Sequence, residues 1–215
     1  MARYPIYLEL TGRRVVVIGA GPVAMRKAQT ILETGARLVI VAKNIDDTVA
    51  LRFAGTHAEL IKSKYSKDYL AGAVLVIAAT NKIELNKQIY KDCQQLEILC
   101  NVVDQPQLCD FFVPAVVKRG GLQIAIGTEG HCPAYAGHIR KKLEKIFTEK
   151  HGLFLAELET LRRRIINDVP EPAQRKILLG NLVDDKSFDY FIENGPEAWR
   201  KRAEKTINEF LLPQP

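Results

Sequence analysis

The run Arg14-Val-Val-Val-Ile18 feeds directly into Gly19-Ala-Gly21-Pro22-Val23-Ala24. An apolar, β-branched strand that ends in Gly-x-Gly-x-x-Ala and continues as a helix leaves few folds open. Each part has a physical task. Gly19 permits a tight turn. Gly21 has no Cβ, so the backbone can approach a pyrophosphate closely. Ala24 is small enough for the helix to pack on the strand. Pro22 suits the first helical turn, where its missing N–H costs nothing. With Val23 it opens a helix whose free N–H groups and partial positive charge favour phosphate. Ala24, Ala28, Ile31 and Leu32 fall on one helical face, and Gly35 stops the helix. The plainer reading is a tight strand-to-helix turn in some other α/β domain.

The flanking pattern supports a parallel sheet. A short alternating edge strand is expected over Ile6–Leu10. Buried strands follow over Val15–Ile18, Arg37–Ala42, Ala58–Ile61, Ala73–Ala79 and Ile98–Val103, with a helix over Ile83–Leu96. Unbroken apolar strands alternating with helices mark a parallel sheet covered on both faces. The expected architecture is a Rossmann-type domain over residues 1–112. After Phe112 the pattern changes. Val113–Val117 and Leu122–Ile126 flank Arg119-Gly-Gly121 as a hairpin. The loop Gly127-Thr-Glu-Gly-His-Cys-Pro133 then runs into a helix carrying Ala136, Ile139, Leu143, Ile146 and Phe147. From His151 onward only helices are expected. Breaks fall around Pro170–Pro172, Gly180 and Gly195-Pro196, and Ser187 is placed to cap one of them.

Composition excludes several classes. The chain has 215 residues, 47% of them hydrophobic and 26% charged, which suits a soluble globular protein. There is no membrane-length apolar run and no signal-peptide pattern, so a cytoplasmic location is expected. Cys93, Cys100, Cys109 and Cys132 form no Cys-x-x-Cys pair, which argues against a disulfide framework or structural zinc. The net charge of +6 is concentrated in stretches such as Arg140-Lys-Lys142 and Arg162-Arg-Arg164. These are either solvated helix faces or a surface for an anion. No stacking aromatics accompany them, so a small polycarboxylate fits better than nucleic acid.

Several motifs together resemble the precorrin-2 dehydrogenase / sirohydrochlorin ferrochelatase family, the N-terminal module of siroheme synthases. They are Tyr4-Pro-Ile-Tyr-Leu-Glu-Leu10, Gly19–Ala28 with its Arg26-Lys27, Ala78-Ala-Thr-Asn81, Cys100-Asn-Val-Val-Asp104 and Gly130-His-Cys-Pro133. The resemblance runs to about Leu143. It implies NAD⁺-dependent oxidation of precorrin-2 to sirohydrochlorin, and in some members insertion of ferrous iron. It also implies a homodimer, with residues 113–147 as the dimerisation segment and residues 148–215 as a small helical domain. The substrate it implies carries eight carboxylates, in keeping with the basic surplus.

Asp104 is the expected catalytic residue. It ends the fifth strand, at the edge where open α/β sheets place ligands, and a carboxylate there can act as base. Its plainer role is a turn before Pro106. Asn101 and Val103 frame the same edge, Asn101 either bonding the cofactor or satisfying buried backbone. Thr80 and Asn81 end the fourth strand, near the expected ribose–nicotinamide portion, with helix capping as the alternative. The acid usually found about 20 residues beyond the glycines is replaced by Val41-Ala-Lys43-Asn44. Lys43 suits a 2′-phosphate and hence NADP. The resemblance favours NAD⁺, with Asn44 on the ribose. Thr128, Gly130, His131 and Arg140 are the expected substrate contacts. Glu129, His131 and Cys132 depart from the family's loop, and His131-Cys132 introduces soft metal ligands. No metal site is expected. A different class, a non-catalytic NAD-binding sensor, shares the glycine turn but lacks the Asn-Val-Val-Asp strand end.

Overall fold

A computed structural model describes residues 3–211. The chain divides into two compact units, Met1–Val113 and Pro114–Pro215. The first holds β1 (Arg14–Ile18), α1 (Pro22–Leu32), β2 (Arg37–Ala42), α2 (Asp47–Phe53), β3 (Glu59–Lys62), β4 (Ala73–Ala78), α3 (Ile83–Gln95) and β5 (Leu99–Val102). All sheet pairings are parallel, in the order β3-β2-β1-β4-β5. Strand order reverses between β1 and β4, where this fold opens a crevice at the carboxyl ends of the strands. Val15 and Val17 pack with Ala24, Ala28 and Ile31 of α1 on one face. Val16, Ile18, Val76 and Cys100 pack with Ile89 and Cys93 of α3 on the other. Burial on both faces is why these strands read as continuous apolar runs.

Residues 6–10 form no strand among the described residues, contrary to the alternation. β1 already has β2 and β4 as neighbours, and the outer strands are β3 and β5. Ile6, Tyr7 and Leu8 are exposed instead. The hydrophobic periodicity does not predict α2. Its determinant is a cap: Asp46 accepts a 2.9 Å bond from the Val49 N–H.

The second unit holds β6 (Ala115–Arg119), β7 (Leu122–Ile126), α4 (Pro133–Ile146), α5 (Glu149–Asp168), α6 (Pro172–Leu182) and α7 (Asp185–Leu211). β6 and β7 pair antiparallel around Gly120-Gly121. The hairpin approaches α5 so closely that a Cβ on Gly152 would lie 2.6 Å from the Arg119 carbonyl. This explains a glycine inside a 20-residue helix. The helical core centres on Phe154, Phe191 and Trp199. Ser187 does not cap a helix. It is buried within α7, accepts from Trp199 Nε1 at 2.8 Å and donates to the Leu182 carbonyl at 2.9 Å. Asp184 is the cap, accepting from the Ser187 N–H at 2.7 Å. Gly180 lies inside α6 and does not break it. Gly195, at φ +82°, kinks α7 just before Pro196.

Candidate cofactor and catalytic site

The turn between β1 and α1 is fixed by packing. Gly19 has φ +120°, and a Cβ there would sit 2.3 Å from the carbonyl oxygen of Ala79, at the end of β4. Its N–H continues the ladder to Val41 O at 2.8 Å. Gly21 differs: a Cβ there would meet nothing within 4 Å. Gly21 is the N-cap of α1, no side chain caps the helix, and Pro22 follows at its start. Uncapped N–H groups beside open space are what a pyrophosphate requires. Ala24 is fully buried and Val23 exposed. The turn therefore fits the cofactor expected from the sequence.

Thr80 is held from inside the fold. Its N–H and hydroxyl donate to Asn86 Oδ1 at 3.2 and 2.6 Å, and Asn86 Nδ2 returns a 3.0 Å bond to the Thr80 carbonyl. Asn86, on α3 and 4% exposed, was not singled out in the sequence. Its signal there is an asparagine at helical spacing from Ile89 and Cys93, on the buried stripe of α3. Thr80 Oγ1 also accepts from Lys82 N at 3.2 Å, so it orders the entry to α3. Asn81 is exposed on the same loop.

Asn101 is 6% exposed, and its amide nitrogen donates to the Phe111 carbonyl at 2.9 Å. That bond ties the returning segment to β5 and leaves this donor unavailable to a ligand. Val103 N–H bonds Ala78 O at 3.0 Å, and its side chain joins the α1 core. Asp104 follows at φ +62° in the turn closed by Gln105 N to Val102 O at 3.3 Å. Aspartate is among the residues that tolerate this region. Its exposed carboxylate makes no hydrogen bond or ion pair among the described residues. Next to it, Gln105 Oε1 is buried without a partner among them.

Lys43 and Asn44 are exposed in the β2–α2 loop. The nearest acid, Asp46, caps α2, and bonds from Thr48 and Val49 hold its carboxyl below the usual range. Thr128, Gly130, His131 and Arg140 belong to the second unit. Thr128 O accepts from His131 N at 2.8 Å across a turn with Glu129 at φ +52° and Gly130 at +85°. Arg140 is paired with Glu144 along α4. His131 precedes that helix, so it does not share a helical face with His138. Part of the basic surplus is spent locally: Arg163 pairs with Glu159, and Arg164 with Asp168 and Asn208.

The chain belongs to the putative NAD(P)-binding family, whose model matches residues 6–115. It is also similar to siroheme synthases. The siroheme synthase of Pseudomonas fluorescens is 35% identical over 202 residues, 94% of this chain and 44% of that protein. Siroheme synthase 3 of Aeromonas hydrophila is 35% identical over 194 residues, 90% of this chain and 42% of that protein. The chain thus spans less than half the length of these curated relatives. A solved structure described as SirC, precorrin-2 dehydrogenase, superposes with a TM-score of 0.78 at 24% identity, covering 94% of this chain and all of the other. That likeness shows the fold. Together the similarities agree with the resemblance drawn from the glycine turn and the Asn-Val-Val-Asp strand end.

Proposed function

We propose that this chain oxidises precorrin-2 to sirohydrochlorin with NAD⁺, within siroheme biosynthesis. The observation that carries the reading is the position of Asp104: an exposed carboxylate with no hydrogen bond or ion pair among the described residues, at the carboxyl edge of the same sheet whose glycine turn fits a dinucleotide. The pyrophosphate is held by the uncapped N–H groups at the start of α1, from Gly21, Val23 and Ala24, with Gly19 closing the turn and Pro22 setting the helix start. Thr80 and Asn81, ordered by Asn86, border the ribose–nicotinamide portion. Bound NAD⁺ supplies a hydride acceptor. Asp104 takes the proton that leaves the macrocycle, so the substrate loses a hydride and a proton in all. Asn101 shapes this edge by holding Phe111 and makes no contact to the cofactor through its amide nitrogen. Thr128, Gly130 and His131 of the second unit contribute to substrate binding, and the active form is a homodimer. The missing acid after β2 leaves Asn44 as the ribose contact.

Mixing the protein with precorrin-2 and NAD⁺ is the direct assay, followed through the sirohydrochlorin absorbance. Asp104→Asn is expected to lower kcat on the order of 10²–10⁴-fold while leaving NAD⁺ affinity nearly unchanged. Wild-type protein that binds NAD⁺ but leaves precorrin-2 unchanged would sink the proposal in favour of a non-catalytic sensor. A lower Kd for NADP⁺ than for NAD⁺ would overturn the cofactor choice.

A further inference from the structure

Lys27 is a half-buried cation that neither the fold nor the glycine turn requires. It lies three residues after Ala24 and four before Ile31, so it flanks the buried stripe of α1. Val103 and Phe111 pack into the core that α1 covers. They come from the segment that carries Asp104 and Cys109. Lys27 interacts electrostatically with both of those residues. Arg3 interacts with Cys109 as well, and its guanidinium sits 3.6 Å above the Phe112 ring. Arg26 adds its charge next to Lys27. Lys27 is therefore a half-buried cation close to the Asp104 turn, with Arg26 beside it on α1, while Arg3 and Asp110 act on Cys109 further along the segment. Lys27 makes no hydrogen bond or ion pair among the described residues, and neither does Asp104.

This arrangement is unfavourable for the protein alone. Burial is the main cause that pushes the Lys27 ammonium below its usual range, Arg26 adds to it, and Cys109 and Asp104 offset it only in part. Removing a charge from water is costly unless a counter-ion meets it. A lysine that served only as a solubilising surface group would extend into water. One that served only the fold would be paired.

We propose that Lys27 anchors a carboxylate side arm of the substrate, beside the carbon whose proton Asp104 accepts. The assignment rests on the tetrapyrrole reading above, since a macrocycle ringed by carboxylates supplies the direct ion pair that Lys27 lacks among the described residues. Lys27 is a positioning residue: it adds binding energy at the macrocycle edge that lies toward Asp104, in ground state and transition state alike. The cofactor's pyrophosphate is the other source of anionic oxygen near α1. It is disfavoured because Lys27 interacts with the β5 turn, whereas the uncapped N–H groups lie at the start of α1.

The test uses the full chain with Lys27→Met and Lys27→Arg. Four quantities are measured: Kd for NAD⁺, KM and kcat for precorrin-2, and Kd for sirohydrochlorin by absorbance at low and high salt. Lys27→Met is expected to raise KM and the sirohydrochlorin Kd about ten- to a hundredfold at low salt, and less at high salt. The Kd for NAD⁺ should stay within about twofold and kcat within about threefold. Lys27→Arg should restore most of the loss. The melting temperature of Lys27→Met should not fall, because an unpaired charge has been removed. Unchanged KM and sirohydrochlorin Kd overturn the proposal. So does a weaker NAD⁺ affinity with unchanged substrate binding, which assigns Lys27 to the pyrophosphate. Wild-type protein that binds sirohydrochlorin without oxidising precorrin-2 defeats the dehydrogenase reading alone, and the sirohydrochlorin arm still judges Lys27. Failure to bind any tetrapyrrole defeats both.

Discussion

The β1–α1 turn and the β7–α4 loop look alike in sequence. Each carries glycines, each ends in a proline that starts a helix, and neither helix has a side-chain N-cap. Their settings differ. The first loop leaves a strand that is buried on both faces and paired on both sides. Its Gly19 is pressed against Ala79. The second leaves β7, one strand of a two-stranded hairpin in which half-buried and exposed residues alternate. Its left-handed positions fall on Gly130 and on Glu129, a residue that gains nothing from that conformation. The same local grammar thus yields a rigid cradle where a core encloses it, and a turn held mainly by its own hydrogen bond where none does.

The largest effect should come from the enclosed loop. Gly19→Ala combines a left-handed φ with a clash against Ala79 O, and is expected to cost on the order of 2–5 kcal/mol. Thermal unfolding should show the loss, and NAD⁺ titration should show no measurable binding. A stable, NAD⁺-competent variant would mean that Gly19 does not pack on β4 as described. Gly21→Val probes the open half of the same turn. NAD⁺ affinity should drop about tenfold or more with the melting temperature nearly unchanged, since a Cβ there meets no protein atom. If both glycine variants lose stability equally, the contrast between packed and open positions fails.

The second loop should respond more mildly. His131→Ala is expected to raise the KM for precorrin-2 a few-fold, without altering NAD⁺ affinity. A larger loss in ferrous insertion into sirohydrochlorin than in oxidation would give His131 and Cys132 a metal role. The smallest effect is a gain. Glu129→Gly relieves a left-handed residue and should raise stability by roughly 1 kcal/mol, read as a shift in chemical denaturation midpoint. A destabilised variant would show that Glu129 has a partner that matters more than its backbone strain.

Much of the first unit was legible because its signals are local. The apolar runs of β1, β2 and β4 and the glycine turn lie within a few residues of their own determinants. Asp104 could be placed at the end of β5 for the same reason. Non-local features escaped. Asn86 orders Thr80 across six residues, and Asn101 reaches Phe111 across ten. Ser187 serves Trp199 twelve residues away. In sequence, each is a polar residue with an ordinary local alternative. Residues 6–10 failed in the opposite direction: their alternation was real, but β1 is already paired on both sides and they join neither outer strand, β3 nor β5.

The sequence by itself determined the parallel α/β sheet, the glycine turn between β1 and α1 and the strand end that bears Asp104. Hydrophobic periodicity and glycine chemistry act over short stretches, so neighbouring residues suffice to specify them. Tertiary structure alone decided which glycine is jammed and which is open, and which amides are spent on the backbone. It also decided that Lys27 lies half-buried near Asp104 with no hydrogen bond or ion pair among the described residues. Those outcomes depend on which residues, distant in the chain, are brought within a few ångströms. There, burial and unpaired charge turn an ordinary lysine into a candidate for holding a ligand.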